Sequence, residues 1–129
     1  MDTASLKVLV VDDERIIADS LRLIFLTNGY EALSAYSAEE ATEIIVEWLP
    51  DLIIIDVILP GMNGIDLAIA VREQFRNCRV LLFSGQATTA ELLTDAATRG
   101  HRFEILAKPV HPNDMLAAAQ RLLGAGEPN

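Results

Sequence analysis

Lys7-Val8-Leu9-Val10-Val11-Asp12-Asp13-Glu14 decides the fold. Val8 to Val11 is a short, mostly β-branched apolar run that ends abruptly on three acids. An unbroken run of this kind suits a strand buried on both faces, which has no solvent side to reserve for polar residues. Just downstream, between Glu14 and Asn28, Ile17, Leu21, Ile24 and Phe25 recur at helical spacing. Asn28-Gly29 then stops the helix. A buried strand followed directly by an amphipathic helix is half of a crossover unit, and the rest of the chain repeats it.

Glu31 to Tyr36 reads as a second, more polar strand near a sheet edge. Ser37-Ala38-Glu39-Glu40 is a capping box: the Ser37 hydroxyl can accept from the Glu40 amide while the Glu40 carboxylate reaches back. The helix it opens runs to about Trp48, before Pro50. Leu52-Ile53-Ile54-Ile55 is the third and most hydrophobic strand, and Asn63-Gly64-Ile65-Asp66 starts a helix through about Phe75. Arg79 to Ser84 is the fourth strand, and Ala90 to Arg99 is a helix ended by Gly100. Phe103 to Ala107 is the fifth strand. Pro112, at a favoured first position, opens a last helix ending near Leu123. The core therefore runs from about residue 6 to 123, with a flexible tail over 124–129. Five strands and five helices in strict alternation predict an α/β fold, a doubly wound parallel sheet covered on both faces.

Composition narrows the function. The 129 residues and 14.1 kDa suit one domain. At 51% hydrophobic and 22% charged, the chain can bury a core, so bulk disorder is excluded. No apolar stretch approaches the ~20 residues of a membrane helix. The start, Met1-Asp2-Thr3-Ala4-Ser5, lacks the basic region and cleavage site of a signal peptide. The lone Cys78 precludes an internal disulfide and fits a reducing cytoplasm. Ten Lys and Arg against 19 Asp and Glu leave a net charge of −9. Such a field repels nucleic acid and anionic lipid and attracts cations.

In a doubly wound sheet, ligands bind outside the carboxyl ends of the strands, where the strand order reverses. Strand one ends in Asp12-Asp13 followed by Glu14, strand three in Asp56, strand four in Ser84-Gly85 and strand five in Lys108-Pro109. Taken singly, each has a plain explanation: Asp12 or Asp13 as a helix cap, Asp56 as a turn residue, Ser84 as structural, Lys108 as a solvated charge. Their joint placement at successive strand ends outweighs these readings. Converging carboxylates repel one another unless a cation neutralises them. Hard oxygen donors without paired His or Cys point to Mg²⁺, with Mn²⁺ as an alternative. Carboxylate, metal, ammonium and hydroxyl around one point suit a phosphoryl group. His101 and His111 lack ligand spacing and read as surface or cap residues, Trp48 as packing, and Cys78 as an inert filler.

These residues also resemble a known family, the response-regulator receiver domain of two-component signalling, in the manner of its single-domain chemotaxis regulators. The resemblance rests on Val8 to Glu14, Asp56-Val57-Ile58-Leu59-Pro60-Gly61-Met62-Asn63-Gly64, Phe83-Ser84-Gly85 and Lys108-Pro109. It covers about Leu6 to Leu123. It implies a flavodoxin-like sheet in the order 2-1-3-4-5, known from a chemotaxis member of the family. It implies Asp56 as phosphoacceptor, fed by a sensor histidine kinase or a histidine phosphotransfer protein. Asp13, Asp56 and the Ile58 backbone carbonyl would bind Mg²⁺ directly, and Asp12 mostly through water. Lys108 would pair with Asp56 and then with the phosphoryl oxygens, Ser84 would swing inward to them, and Lys108-Pro109 would be cis. The output would be a downstream protein or output domain, with a homodimer through the fourth helix, fifth strand and fifth helix as a further contact. No enzyme activity beyond self-phosphorylation and self-dephosphorylation is implied.

Two departures stand out. The family's aromatic switch position, three residues before the Lys, holds Ile105; Phe103 shares its side of the strand but not the position. Ile58 and Gln86 flank the path of a hydrolytic water and are expected to tune phosphoryl lifetime. Other readings fail on the residues. Aspartyl-phosphate hydrolases carry Asp-x-Asp, but Asp56-Val57-Ile58 supplies one Asp. After strand one, Asp12-Asp13-Glu14 would repel a flavin phosphate, and the glycines of a dinucleotide motif are absent. A docking module of the same fold without phosphorylation is the remaining alternative, and intact Asp12, Asp13, Asp56, Ser84 and Lys108 oppose it.

Overall fold

The computed structural model describes residues 5–85 and 89–125. Its elements run β1 (Lys7–Val11), α1 (Arg15–Thr27), β2 (Glu31–Ala35), α2 (Ala38–Trp48), β3 (Leu52–Asp56), α3 (Gly64–Gln74), β4 (Arg79–Ser84), α4 (Thr89–Thr98), β5 (Glu104–Ala107) and α5 (Pro112–Ala125). The strands form one parallel sheet in the order β2-β1-β3-β4-β5. The expected fold and strand order are both present, and the more polar β2 is an edge strand.

Alternation inside the apolar runs divides the core between the two faces of the sheet. Val8, Val10, Leu52, Ile54, Leu81 and Phe83 face α1 and α5, where they meet Leu21, Phe25, Met115 and Ala118. Leu9, Val11, Ile53, Ile55, Val80 and Leu82 face α2, α3 and α4, against Ile45, Ile65, Ala68 and Ala96. Because all five strands run the same way, their carboxyl ends lie along one edge of the sheet.

Local chemistry sets the helix ends. Ser37 accepts from the Glu40 amide at 3.1 Å, as the capping box requires. The Glu40 carboxylate, however, reaches one residue further back than expected and takes the Tyr36 amide at 2.7 Å. Asn63 caps α3 by accepting from Asp66 N–H at 2.8 Å. The fifth helix overruns its expected end: Gly124 and Ala125 continue α5, and positions 126–129 of the expected tail lie outside the described residues. Phe103 falls before β5, its ring stacked on His101 and beneath the Arg72 guanidinium. His101 also meets Glu73 at 3.2 Å, so it is a packing residue more than a surface one. His111 caps α5, its Nδ1 facing the Asn113 amide at 3.1 Å. Burial pushes the Cys78 thiol up to about 12, reinforced by Asp51, which keeps it inert.

Candidate functional site

The chain leaves β1 toward β2 on one side and returns through β3 on the other, so the crevice of the switch point opens between β1 and β3. Asp12 and Asp13 follow β1, and Asp56 closes β3. One carboxylate oxygen from each of the three lies within 4.8 Å of the others. Asp12 is fully buried and Asp56 nearly so, whereas Asp13 is exposed.

Lys108 reaches this cluster from the loop after β5. Its ammonium lies 3.0 Å from Asp56 Oδ2 and 3.2 Å from Asp12 Oδ2. The Phe83 ring lies 4.8 Å from the same ammonium and adds a cation–π contact. The Lys108–Pro109 peptide is cis, as the family resemblance implied. The Lys108 amide donates to the Ser84 carbonyl at 3.0 Å, tying the loop to the end of β4.

The remaining carboxylate oxygens are fixed by backbone. Asp12 Oδ1 accepts from Glu14 N–H at 2.9 Å, and Asp56 Oδ1 from Ile58 N–H at 3.1 Å. Asp56 thus does the turn work it could be given in isolation, whereas Asp12 is not the cap of α1, a position held by Glu14, and instead closes a turn on the Glu14 amide. Each keeps a second oxygen for the site. Burial pushes the Asp12 carboxyl up to about 6. The Glu14 amide and Lys108 pull it down, while the Asp56 charge pushes with the burial. Burial alone would lower the Lys108 ammonium. Its hydrogen bonds and ion pairs with Asp56 and Asp12 outweigh that and hold it above the ordinary lysine value.

The other expected residues fall around this centre. Ser84 is buried at the end of β4 and pairs with Ala107 across to β5. Ile58 sits at the rim with 42% of its surface exposed, its amide bound to Asp56. Ile105 is on β5 beside Leu82, partly buried against the core under α4. Gln86 lies outside the described residues.

Sequence reasoning left three contributors without a role. Glu14 places Oε1 3.8 Å from the Lys108 ammonium, and Phe83 lies against it. Gly64 packs its backbone on the end of β3: a Cβ there would stand 2.1 Å from the Asp56 carbonyl oxygen. Adjacency to Asp13 and Asn63 marked Glu14 and Gly64, but only the tertiary structure shows what they face.

Three oxygen donors at this spacing, facing a protonated amine, fit a small hard dication. The class is that of a doubly wound domain with an acidic, lysine-facing site at its switch point. The family model of the response regulator receiver domain matches residues 8–120, and the chain belongs to that family. A phosphoacceptor role in two-component signalling and Mg²⁺ binding at an acidic pocket are general to the family. A CheY-like receiver domain protein from Methanospirillum hungatei JF-1 is 25% identical over 95% of this chain and 96% of its own, with a TM-score of 0.85. The chemotaxis response regulator CheY4 of Vibrio cholerae is 27% identical, over 92% and 99% of the two chains, at a TM-score of 0.80. NtrX from Brucella abortus is 28% identical over 95% of this chain but only 27% of its own length, at a TM-score of 0.82.

Proposed function

We propose that Asp56 accepts a phosphoryl group from a phosphohistidine, on a sensor kinase or a phosphotransfer protein, and that the change redirects a partner. The observation that carries this reading is the Lys108 ammonium 3.0 Å from Asp56 and 3.2 Å from Asp12, at the end of three converging carboxylates. Oxygens of Asp12, Asp13 and Asp56, with the Ile58 carbonyl, would hold Mg²⁺, whose charge offsets that of the phosphoryl oxygens. An Asp56 oxygen attacks phosphorus as the P–N bond to the imidazole breaks, and the imidazole leaves with the electron pair. Lys108 follows the phosphoryl oxygens, and the Ser84 hydroxyl donates to them. The chemistry is confined to the chain's own carboxylate, so the protein is a switch and not an enzyme with a separate substrate.

An apolar groove of about 510 Å³ runs from the Lys108 stem between α1 and the start of α5, lined by Ile16, Ile17, Ile24, Phe83 and Val110, and offers a seat for a donor helix. Ile16 there is 83% exposed, which supports α1 as the face that meets the donor. The α4, β5 and α5 face is then left for a downstream protein, an output domain or a second copy. The net charge of −9 disfavours direct contact with nucleic acid. Among the described residues no helix is long and apolar enough to cross a membrane. Receiver domains are typically cytoplasmic, and on that ground we place the protein in the cytoplasm.

Mass spectrometry after incubation with acetyl phosphate, with and without Mg²⁺, tests the reading. A phosphate-sized gain that needs Mg²⁺ and disappears in Asp56→Asn is expected. No gain in wild type would leave a docking module that works without phosphorylation, and an undiminished gain in the variant would move the acceptor elsewhere.

A further inference from the structure

Glu14 occupies the N-cap of α1, with φ −82° and ψ 105°, yet its side chain makes no cap hydrogen bond. Ser, Thr, Asp or Asn normally fills such a position because a short side chain can accept from the first amides. Here the Asp12 carboxylate takes the Glu14 amide, and the Glu14 side chain is turned instead to Lys108, at 3.8 Å. That is longer than the 3.0 and 3.2 Å of Asp56 and Asp12. With its side chain 65% exposed, Glu14 stands at the mouth of the site, while Asp12 lies on the buried floor. The neighbouring Arg15 does not offset this charge. Its guanidinium is held 4.0 Å over the Tyr36 ring, whose hydroxyl donates to Asp19 at 2.6 Å. Among the described residues, Lys108 is the one ion-pair partner of Glu14.

Resting on the reading of Asp56 as acceptor, we propose that Glu14 is a specificity-determining residue that selects phosphodonors by charge, disfavouring free doubly anionic acyl phosphates relative to less charged P–N donors. The Coulomb cost of passing one fixed negative charge is proportional to the charge on the donor. A dianion therefore meets twice the barrier of a monoanion, and the rate penalty on the first is the square of that on the second. A phosphohistidine presented by a docked protein offsets the penalty with its own contact surface, whereas a free metabolite-sized acyl phosphate cannot.

The test compares wild type with Glu14→Gln and Glu14→Asp, following the phosphate mass gain with two donors at neutral pH and saturating Mg²⁺. With acetyl phosphate, the P–O bond to acetate breaks and acetate leaves with the electron pair as an Asp56 oxygen bonds phosphorus. With phosphoramidate, a monoanion at this pH, the P–N bond breaks and ammonia leaves. In Glu14→Gln at low ionic strength the acetyl phosphate rate is expected to rise about fourfold and the phosphoramidate rate about twofold. Both gains should vanish near 1 M salt, where the screening length is about 3 Å. Glu14→Asp, which keeps the charge, should behave as wild type. A packing or capping role would act equally on both donors and survive salt. Equal gains, salt-independent gains, unchanged rates or slower rates in Glu14→Gln would each overturn the proposal while wild type still takes up phosphate. If wild type takes up phosphate from neither donor, the Asp56 reading fails and this inference falls with it.

Discussion

Asp12 is fully buried, with Oδ1 on the Glu14 amide and Oδ2 on the Lys108 ammonium. Its carboxyl sits at about 6, above an ordinary value of 3.8, chiefly because burial penalises the charge. A carboxyl raised in the folded state makes the folded protein bind a proton more tightly than the unfolded chain does. That contribution to stability is fully present below about pH 4 and is lost as the pH rises through about 6. Over this window the metal-free protein is expected to lose stability on the order of 1–3 kcal/mol through this group. A divalent cation needs the ionised carboxylate, so its stabilisation should run the other way. The rise in melting temperature on adding Mg²⁺ is expected to be small at pH 5 and to grow toward pH 7. Thermal melts across that range check this, and a Mg²⁺ effect that does not change with pH would contradict it. Asp12, Asp56 and Lys108 were legible as site residues because apolar strands that end on charged groups place those groups along one sheet edge. The orientation of Glu14 was not, since nothing local says that an N-cap glutamate forgoes its cap.

Among the elements, the strands were the most legible, because burial on both faces demands unbroken apolar runs such as Leu52 to Ile55. Positions set by tertiary contact were harder to read. Asn63-Gly64 reads as a helix start, yet the need for glycine comes from the strand beside it. Gly64 donates to the Val57 carbonyl, and a Cβ would stand 2.1 Å from the Asp56 carbonyl oxygen. Gly64→Ala must therefore push α3 away from the end of β3. A loss of about 1–3 kcal/mol is expected, with slower phosphate uptake because Asp56 is displaced. Urea unfolding and the mass assay check the two effects, and a variant unchanged in both would mean that the close approach relaxes freely. Leu49 shows the reverse mismatch. It ends α2 at φ 54° and ψ 69°, a left-handed conformation that suits glycine, while 59% of its surface is exposed. Leu49→Gly removes the Cβ conflict and little buried surface, and should raise stability by about 0.5–1 kcal/mol. A lower urea midpoint would show that the Leu49 side chain contributes more by packing than its backbone costs.

Across the whole molecule, the helices differ in how firmly they are anchored. Six residues of α3 are buried: Gly64, Ile65, Leu67, Ala68, Ile69 and Val71. Over residues 90–98 of α4 only Ala96 is buried, with Leu92 and Leu93 partly so. Sparse burial of this kind marks a segment that opens at low free-energy cost. Ser84, the hydroxyl proposed to follow the phosphoryl group, ends β4, the element that precedes α4 in the chain, so a change at the site is expected to reach the weakly held helix. Ile105 lies in the same layer, on β5 beside Leu82. Its branched aliphatic chain has restricted χ1 freedom and lacks an aromatic hydroxyl or ring edge. Side-chain gating on β5 is therefore expected to be minor, and movement of α4 to carry the signal. Amide exchange with and without a Mg²⁺-bound phosphoryl analogue should change most over residues 89–100 and little in α3. Ile105→Ala should keep the phosphate uptake of Asp56 within about twofold and cost about 1–2 kcal/mol of stability for its partial burial. Unchanged exchange across residues 89–100, or loss of phosphate uptake in Ile105→Ala, would return the switch to β5.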